Sequence, residues 1–359
     1  MADSPRTDSL TGAAIAAGRN APSGIVVVTE HSLYPCDDEG DRWFVRRLTD
    51  LFPERVHRRR AGGGCDAAIA QGSSPASANA TAGAPEPDAK RICALIVGAD
   101  VDVDALASDP APDRLVIVVT GGSPDAYLTT MRQLHAATGV QVELCFRSAA
   151  AQQRFARPGR IVIPPIEWPD AQHRARRTNQ RDADTFVVGY VAPREESVLA
   201  PMDVERWRNL ARTGMRVRLR GANRLRESLG SDPNIDIRSR QRESLSAFLL
   251  DLDCLIYDPP RPDHEGWAIE LFTAMALETP VICAARSCYS SYVGDGHRGL
   301  ISHDEEALLR VIGRLRTKSE DAARSVAAAK AFAAETLSIE ALRQSYQWMM
   351  AEPEPIANG

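Results

Sequence analysis

The chain has 359 residues, of which 44% are hydrophobic and 25% are charged. This length predicts about two domains with their own cores and excludes a small fold stapled by disulfides or metal. The formal net charge of −5 argues against a globally basic nucleic-acid-binding protein, and only three of the 43 basic residues are lysine. Any anion site is therefore expected to use arginine side chains or backbone N–H groups.

Cysteine spacing and hydropathy favour a reducing, cytoplasmic location. The seven cysteines are scattered and form no Cys-x-x-Cys pair, so we expect neither a disulfide framework nor a zinc site. Cys93, Cys145, Cys254 and Cys283 lie in apolar runs and are expected to be buried free thiols. The first 22 residues lack a signal-peptide pattern, and no apolar run is long enough to span a membrane.

Strands and helices alternate over residues 23–168, after a tail at 1–22 that is expected to be flexible, and predict a first Rossmann-like domain. Residues 61–88 are mostly Ala, Gly, Ser and Pro and predict a low-complexity insertion. The predicted strands are Gly24–Thr29, Ile92–Val97, Leu115–Thr120, Val142–Phe146 and Arg160–Ile163, and the predicted helices are Asp41–Phe52, Asp125–Ala137 and Ala149–Arg157.

A charged, turn-rich linker is predicted at 169–184, and the alternation restarts in a second Rossmann-like domain over 185–336. Residues 337–359 predict a C-terminal helix that returns to the first domain, followed by a tail. In parallel sheets, ligands bind at the carboxyl ends of the strands, here in a cleft between the domains. The predicted strands are Phe186–Val191, Arg216–Arg220, Ile235–Ile237, Cys254–Tyr257, Val281–Ala284 and Leu300–Ser302, and the predicted helices are Val204–Arg212, Glu243–Leu250, Gly266–Leu277, Asp304–Arg316, Glu320–Glu335 and Ile339–Met350.

Residues 263–282 read Asp-His-Glu-Gly-Trp-Ala-Ile-Glu-Leu-Phe-Thr-Ala-Met-Ala-Leu-Glu-Thr-Pro-Val-Ile. A strand ends at Tyr257, a proline-rich loop follows, and a helix is predicted to start near Gly266. The free N–H groups and the positive dipole end of such a helix suit a phosphate group, and a glycine lets a ligand approach the backbone. The alternative is an ordinary amphipathic packing helix, which any α/β domain contains.

This stretch resembles the Glu-Gly-Phe-Gly-x-x-x-x-Glu-Ala-Met-Ala-x-Gly-x-Pro-Val motif of GT-B glycosyltransferases of the retaining family 4 type. Weaker similarities lie at 292–301, at 337–342, at 148–150 and at 162–164, so the resemblance covers 24–350 loosely and 253–345 well. It implies two Rossmann-like domains facing each other across a cleft, with the nucleotide-sugar donor on the second domain. The matching positions are Glu265, Gly266, Ala274, Met275, Ala276, Pro280 and Val281, with Trp267 at the aromatic position.

The resemblance implies roles for the motif residues. Glu265 would contact the donor sugar, and the backbone of Gly266, Trp267 and Ala268 would contact the sugar and the diphosphate. The family's second Glu, which holds the ribose hydroxyls, is replaced here by Thr273. We hypothesise that Glu270, three residues earlier on the helix, reaches the same face and compensates.

A diphosphate clamp is also altered. The family's Gly-Arg-x-x-x-x-Lys-Gly segment corresponds to residues 189–196, where Gly189 is kept but Tyr190 and Glu195 replace the Arg and the Lys. Arg194, or Arg220 before Gly221 at a strand end, is a candidate substitute, because a guanidinium binds phosphate in a bidentate manner. The alternatives are a solvated loop arginine and the outer face of a strand shared with Arg216 and Arg218.

Two histidines and a basic segment complete the candidates. His31 follows the first strand and His264 precedes Glu265, and both are candidates to line the cleft, although a loop histidine is often merely solvated. Residues 41–60, which include the Arg42–Arg60 segment, carry seven arginines against three acidic residues. This segment is interpreted either as peripheral contact with an anionic membrane at the inner face or as a solvated helix face followed by a loop.

Together these features predict a cytoplasmic glycosyltransferase that moves a sugar from a nucleotide-sugar to a glycan or lipid-linked acceptor, as in polysaccharide biosynthesis. The resemblance implies retention of configuration, no metal and no cofactor beyond the nucleotide-sugar, with Glu265 and His31 as the catalytic candidates. No nucleic-acid partner is expected. The alternative is a catalytically degenerate GT-B protein that acts as a partner subunit or glycan-binding module.

Overall fold

The computed structural model describes residues 24–29, 47–48, 50–52, 56–60, 92–97, 103, 112–119, 123–163, 166, 185–193, 201–259, 267–317 and 319–350. Within them lie two six-stranded sheets whose strand pairs are all parallel. Where the connections between strands are described, as between β4 and β5 or β10 and β11, they contain helices, as parallel pairing requires. The predicted α/β architecture of two Rossmann-like halves is confirmed.

The first sheet has the strand order β2-β1-β3-β4-β5-β6. Its central strand β4 is buried along its whole length, as expected for a strand covered on both faces. Helix α1 is capped by Ser123, whose hydroxyl accepts the Asp125 N–H at 3.2 Å, and it ends before Gly139 in the left-handed conformation. The elements are β1 Gly24–Thr29, β2 Val56–Arg60, β3 Ile92–Val97, β4 Arg114–Val119, α1 Pro124–Thr138, β5 Val142–Phe146, α2 Ala149–Phe155 and β6 Arg160–Ile161.

The second sheet has the order β12-β11-β10-β7-β8-β9, so the chain reverses its direction of progress beside β7 and β10. A ligand crevice is expected at such a reversal, outside the carboxyl ends of the strands. Its elements are β7 Val187–Val191, α3 Pro201–Arg212, β8 Arg216–Arg220, a 3₁₀ turn Asn223–Leu225, α4 Arg226–Leu229, β9 Ile235–Arg238, α5 Leu245–Leu250, β10 Cys254–Tyr257, α6 Ile269–Ala276, β11 Val281–Ala284, α7 Ser290–Val293, β12 Leu300–Ser302, α8 Glu305–Thr317 and α9 Ser319–Leu337.

The end of the chain returns to the first sheet. Helix α10 (Ile339–Tyr346) and a 3₁₀ turn (Gln347–Met350) follow α9. The Tyr346 hydroxyl donates to the Ile163 carbonyl at 2.7 Å, and the Arg343 Nε donates to the Leu51 carbonyl at 3.2 Å. Tyr346 also shares a buried cluster with strand residues such as Cys93, so the last helix is part of the first sheet's core.

The predicted strands mostly recur with their bounds, and two predictions are wrong. The basic stretch that was interpreted as a helix face followed by a loop contains strand β2, which pairs with β1 at the sheet edge. The helix predicted to start at Gly266 begins at Ile269, because Ala268 before it adopts the left-handed conformation. The four cysteines predicted to be buried free thiols are confirmed.

Several predictions fall outside the described residues: the tail at 1–22, the insertion at 61–88, the linker at 169–184 and the final residues 351–359. Of the Arg42–Arg60 segment, the side chain of Arg47 is described, and it pairs with Asp50 at 2.9 Å. Among the described helices, none is both long and apolar enough to cross a membrane.

Candidate active site

The carboxyl edge of the second sheet is built around the end of β8. Its last residue, Arg220, accepts a backbone hydrogen bond from Ala192 at 2.9 Å, just beyond β7. The next residue, Gly221, has φ +80° and donates its N–H to the Arg238 carbonyl at 2.8 Å, at the end of β9. The ends of three neighbouring strands are thereby held together at one point.

Arg218, two residues before Arg220 on β8, is a buried cation that is neutralised by carboxylates. It is 7% exposed and is surrounded by three carboxylates. Its nitrogens lie 2.6 Å from Asp251, 3.4 Å from Glu243 and 3.6 Å from Asp236. The sequence alternative of an exposed strand face is wrong for this residue, which belongs to a structural ion cluster.

Arg220 is equally buried, at 9% exposure, but is bonded differently. One terminal nitrogen donates to the carbonyls of Glu243 at 3.0 Å and Arg240 at 3.3 Å. Within the part of the chain that the structure describes, no hydrogen-bond partner meets its buried Nε. Burial and the neighbouring Arg240 lower the pKa of Arg220 from its ordinary value, while Glu243 and Glu270 oppose this. A buried cation with an unused donor is a site prepared for an anion.

Arg240 is a site residue that the sequence analysis missed. Its guanidinium donates to the Ala192 carbonyl and lies against Gly221, where a Cβ would stand 2.5 Å from the Arg240 Nε. Gly221 is therefore needed both for its left-handed backbone and for the space that Arg240 occupies. The available signal was its position two residues beyond β9, at the edge where ligands bind.

The first turn of α6 carries Glu270, which interacts electrostatically with both Arg220 and Arg240. Ala268 has φ +48° and occupies the position of the second glycine in the Glu-Gly-Phe-Gly motif. The helix has no side-chain cap before Ile269. No capping side chain therefore occupies these first N–H groups, although that of Glu270 bonds its own carboxylate.

Glu270 lies in that first turn and is partly buried. Burial raises the pKa of its carboxyl, whereas its own backbone N–H, Arg240 and Arg220 lower it, with burial the largest effect. Glu270 therefore shares its surroundings with both arginines, as the proposal of a donor-site role requires. Thr273, at the position of the family's second Glu, is 4% exposed.

Gly189 and Tyr190 belong to the core. Gly189 lies inside β7, and a Cβ there would stand 2.1 Å from a methyl carbon of Leu252, so packing explains the glycine. Tyr190 is 4% exposed and its ring centroid lies 4.9 Å from that of Trp207. Both residues therefore lie inside a strand that ends at Val191, as predicted, and neither is available to bind a phosphate.

Five predicted site residues lie outside the described residues: Glu265, His31, Arg194, His264 and Gly266. Trp267 is 4% exposed. No group of three or more His, Cys, Asp or Glu that could hold a metal ion occurs among the described residues.

Comparison with known proteins gives a family match over the part of the chain that forms this edge. The family model described as "Glycosyl transferases group 1" matches residues 220–332, which begin at Arg220 and include α6. No curated protein matches the sequence significantly.

Three solved structures illustrate the likeness of the whole fold. HepE of Anabaena in complex with UDP has a TM-score of 0.62 at 12% identity, over 92% of this chain and 100% of that one. WaaG, a glycosyltransferase involved in lipopolysaccharide biosynthesis, has 0.52 at 14% identity, over 92% and 100%. TarM has 0.54 at 11% identity, and the match spans 72% of this chain and 55% of the TarM chain. At these identities the likeness shows the fold, and the predicted GT-B architecture is confirmed.

Proposed function

We propose that this chain, a glycosyltransferase of the GT-B fold with a glycosyl transferases group 1 domain at residues 220–332, takes its sugar from a nucleoside diphosphate donor. The observation that carries the proposal is Arg220, which is buried at 9% exposure and whose Nε has no hydrogen-bond partner among the described residues. The Nε of Arg218 also lacks a hydrogen bond, but three carboxylates surround Arg218, whereas no ion pair of Arg220 occurs among the described residues. A diphosphate oxygen is an acceptor of suitable charge for this donor. The Anabaena HepE complexes with UDP and with UDP-glucose support the same donor class.

The arginine pair and the start of α6 would stabilise the leaving group. When the bond between the anomeric carbon and the diphosphate oxygen breaks, negative charge accumulates on the diphosphate. Arg220, Arg240 and the N–H groups at the start of α6 are fixed in place before the reaction, which lowers the cost of stabilising that charge. In this chain, arginine and backbone thus perform the task that the family divides between arginine and lysine.

The other roles follow the resemblance. Glu265 would orient the donor sugar, and Glu270 would contact the donor from the first turn of α6. His31 and His264 would line the cleft, and Arg194 would approach the diphosphate from the loop after β7. The acceptor, a glycan or a lipid-linked glycan, would enter from the first domain, and the sugar would be transferred with retention and without a metal. WaaG, which acts in lipopolysaccharide biosynthesis, supports this acceptor class.

The test is a thermal-shift screen with UDP, GDP, ADP and dTDP and their sugars, followed by titration calorimetry with the best ligand. We expect one nucleotide to stabilise the protein, and Arg220→Met to lose affinity by at least about tenfold, as expected for one charge-assisted hydrogen bond. Arg216→Met is the matched control, because Arg216 starts the same strand but is exposed. A wild-type protein that binds no nucleotide would favour a degenerate partner subunit.

Glu265 needs a separate test. Glu265→Ala should bind nucleoside diphosphate much like the wild type but turn over the donor sugar slowly, because its proposed contact is with the sugar ring. Donor turnover equal to that of the wild type would remove Glu265 from the catalytic role.

A further inference from the structure

The motif of the proposed donor site contains one side chain that packs in the core of the first domain rather than in that of the second. Trp267 stands at the aromatic position of the motif, two residues before α6. It is 4% exposed, and the buried cluster to which it belongs lies on the first sheet. Apart from Trp267 itself, the buried members of that cluster are Leu48, Leu51, Cys93, Leu95, Val116, Val118, Cys145, Val162, Leu342, Tyr346 and Met349.

The neighbours of Trp267 in sequence pack in different directions. Ile269, the first residue of α6, is partly buried against the same first-sheet cluster. From Leu271 onward, the helix belongs to a second cluster around β10 and β11. The start of α6, where Arg220 and Arg240 would bind a diphosphate, is therefore attached to the cores of both domains.

A second contact fixes the same junction. Ile166, which follows the first sheet, is 4% exposed and packs in the cluster that contains Phe272 of α6. In addition, the Tyr346 hydroxyl donates to the Ile163 carbonyl at 2.7 Å, which ties the last helix to the chain leaving the first sheet. A packed core does not deform gradually, so a shift of one domain must be transmitted through these side chains.

We propose that Trp267 is a positioning residue, which couples nucleotide binding at the second domain's edge to the packing of the first domain and the last helix. The inference rests on the proposed donor site. Because Trp267 is anchored in the first-sheet cluster, it fixes the backbone on the N-terminal side of the left-handed Ala268, and thereby the start of α6 that carries Glu270. Occupation of the edge by a nucleotide then stabilises the first domain, and by reciprocity an ordered first domain favours nucleotide binding.

Hydrogen exchange tests this coupling in the intact chain. UDP, or the nucleotide selected by the thermal-shift screen, should slow exchange near Ile269–Ala276 and also in β3 and α10, which lie on the first sheet. In Trp267→Phe, which keeps an aromatic ring of smaller area, the remote protection should be partly retained. In Trp267→Ala it should be lost, and donor kcat/KM should fall about a hundredfold, as expected for a misplacement of about 1 Å.

Trp207 offers a matched control. It is fully buried, but the described members of its cluster all belong to the second domain. Trp207→Phe should lower the melting temperature while leaving the remote protection by nucleotide intact. If Trp267→Ala does not fold, the comparison of the two Phe variants decides the question.

Two results would overturn the inference: nucleotide that protects only residues of the second domain in the wild type, or remote protection that Trp267→Ala keeps in full. If Trp267→Ala does not fold, equal remote protection in Trp267→Phe and Trp207→Phe overturns it instead. These results differ from failure of the donor site itself, in which the wild type binds no nucleotide and no residue is protected.

Discussion

Arg218 and Arg220 stand two residues apart on β8, so their side chains leave the same face of the sheet. Both are almost fully buried. Arg218 is enclosed by Asp251, Glu243 and Asp236, whereas no carboxylate oxygen lies within 4.0 Å of Arg220 among the described residues. The comparison separates a cation compensated by carboxylates from a cation bonded to backbone carbonyls, and the second is the one that we propose binds the donor.

The difference has a thermodynamic meaning. Removing one partner from a compensated buried cluster leaves the other charges unpaired, which costs stability. Removing a buried charge that has no carboxylate partner also removes its desolvation cost from the folded state, so the substitution is expected to lower ligand affinity more than stability. Active sites commonly hold such charges at some cost to stability.

The largest predicted effect is on stability. Arg218→Met should lower the free energy of unfolding by about 2–3 kcal/mol, less than for a fully buried pair because Asp251 is half exposed. Arg220→Met should change it by less than about 1 kcal/mol. Urea unfolding measures both. Equal losses in the two variants would contradict the distinction between the clusters.

The next prediction concerns Gly221, which packs against the Arg240 side chain. Gly221 and Gly214 have φ of +80° and +79°, so alanine at either costs about 1–2 kcal/mol of stability. Only at Gly221 does the new Cβ meet Arg240, because nothing lies within 4 Å of the Cβ position at Gly214. Gly221→Ala should therefore also weaken nucleotide binding about tenfold, by displacing one charged donor. Calorimetry that finds equal affinities in the two variants would exclude Arg240 from the site.

A pH series sharpens the role of Glu270. Burial raises the pKa of its folded-state carboxyl above 4.5, so the folded protein holds this proton more tightly than the unfolded chain. That contribution stabilises the fold at low pH and is lost as the pH rises from 4.5 through the folded-state pKa. Glu270→Gln, which cannot ionise, should gain stability relative to the wild type over that range.

Chemical denaturation of both proteins at pH values from about 4 to about 8 checks this expectation, because the series begins near the ordinary pKa of a glutamate carboxyl. A stability difference that stays constant across the series, or that changes in the opposite direction, would show that the arginines dominate over burial. Donor affinity measured on the same variant tests the proposed contact, since unchanged affinity would exclude Glu270 from donor binding.

The smallest effect is expected at the start of α6. Ala268 has φ +48°, which disfavours any residue with a Cβ. Ala268→Gly should stabilise the protein by at most about 1 kcal/mol, because the relief of strain is partly offset by the larger entropy of glycine in the unfolded chain. Differential scanning calorimetry measures the change. A loss of more than about 1 kcal/mol would show that Ala268 packing outweighs the strain.

The sequence predicted the elements whose signal is local. Strands such as Cys254–Tyr257 are short apolar runs bounded by polar turns, and their bounds recur in the structure. Strand β2 escaped prediction because Val56–Arg60 has little apolar content and becomes a strand by pairing with β1. The start of α6 was misplaced because a left-handed Ala268 has no local signature, unlike glycine.

The candidate site residues likewise fall into those that a local sequence signal predicted and those that only the folded structure shows. Arg220 and Glu270 were recognisable because each stands at or near a motif or a strand end. Arg240 was missed because it lies far from Arg220 in sequence. In the folded domain, a terminal nitrogen of the Arg220 side chain lies 3.3 Å from the Arg240 carbonyl oxygen. Tyr190 was aligned to the clamp arginine, but within β7 its ring packs against Trp207 in the core of the second domain.

Calorimetric titration of the best-binding nucleoside diphosphate into wild type, Arg220→Met and Arg216→Met tests the central claim most directly. The account predicts that the wild type and Arg216→Met bind with the same affinity, while Arg220→Met loses at least about tenfold and remains as stable as the wild type. Binding by Arg220→Met equal to that of the wild type would contradict it, because the uncompensated arginine would then have no role in holding the donor.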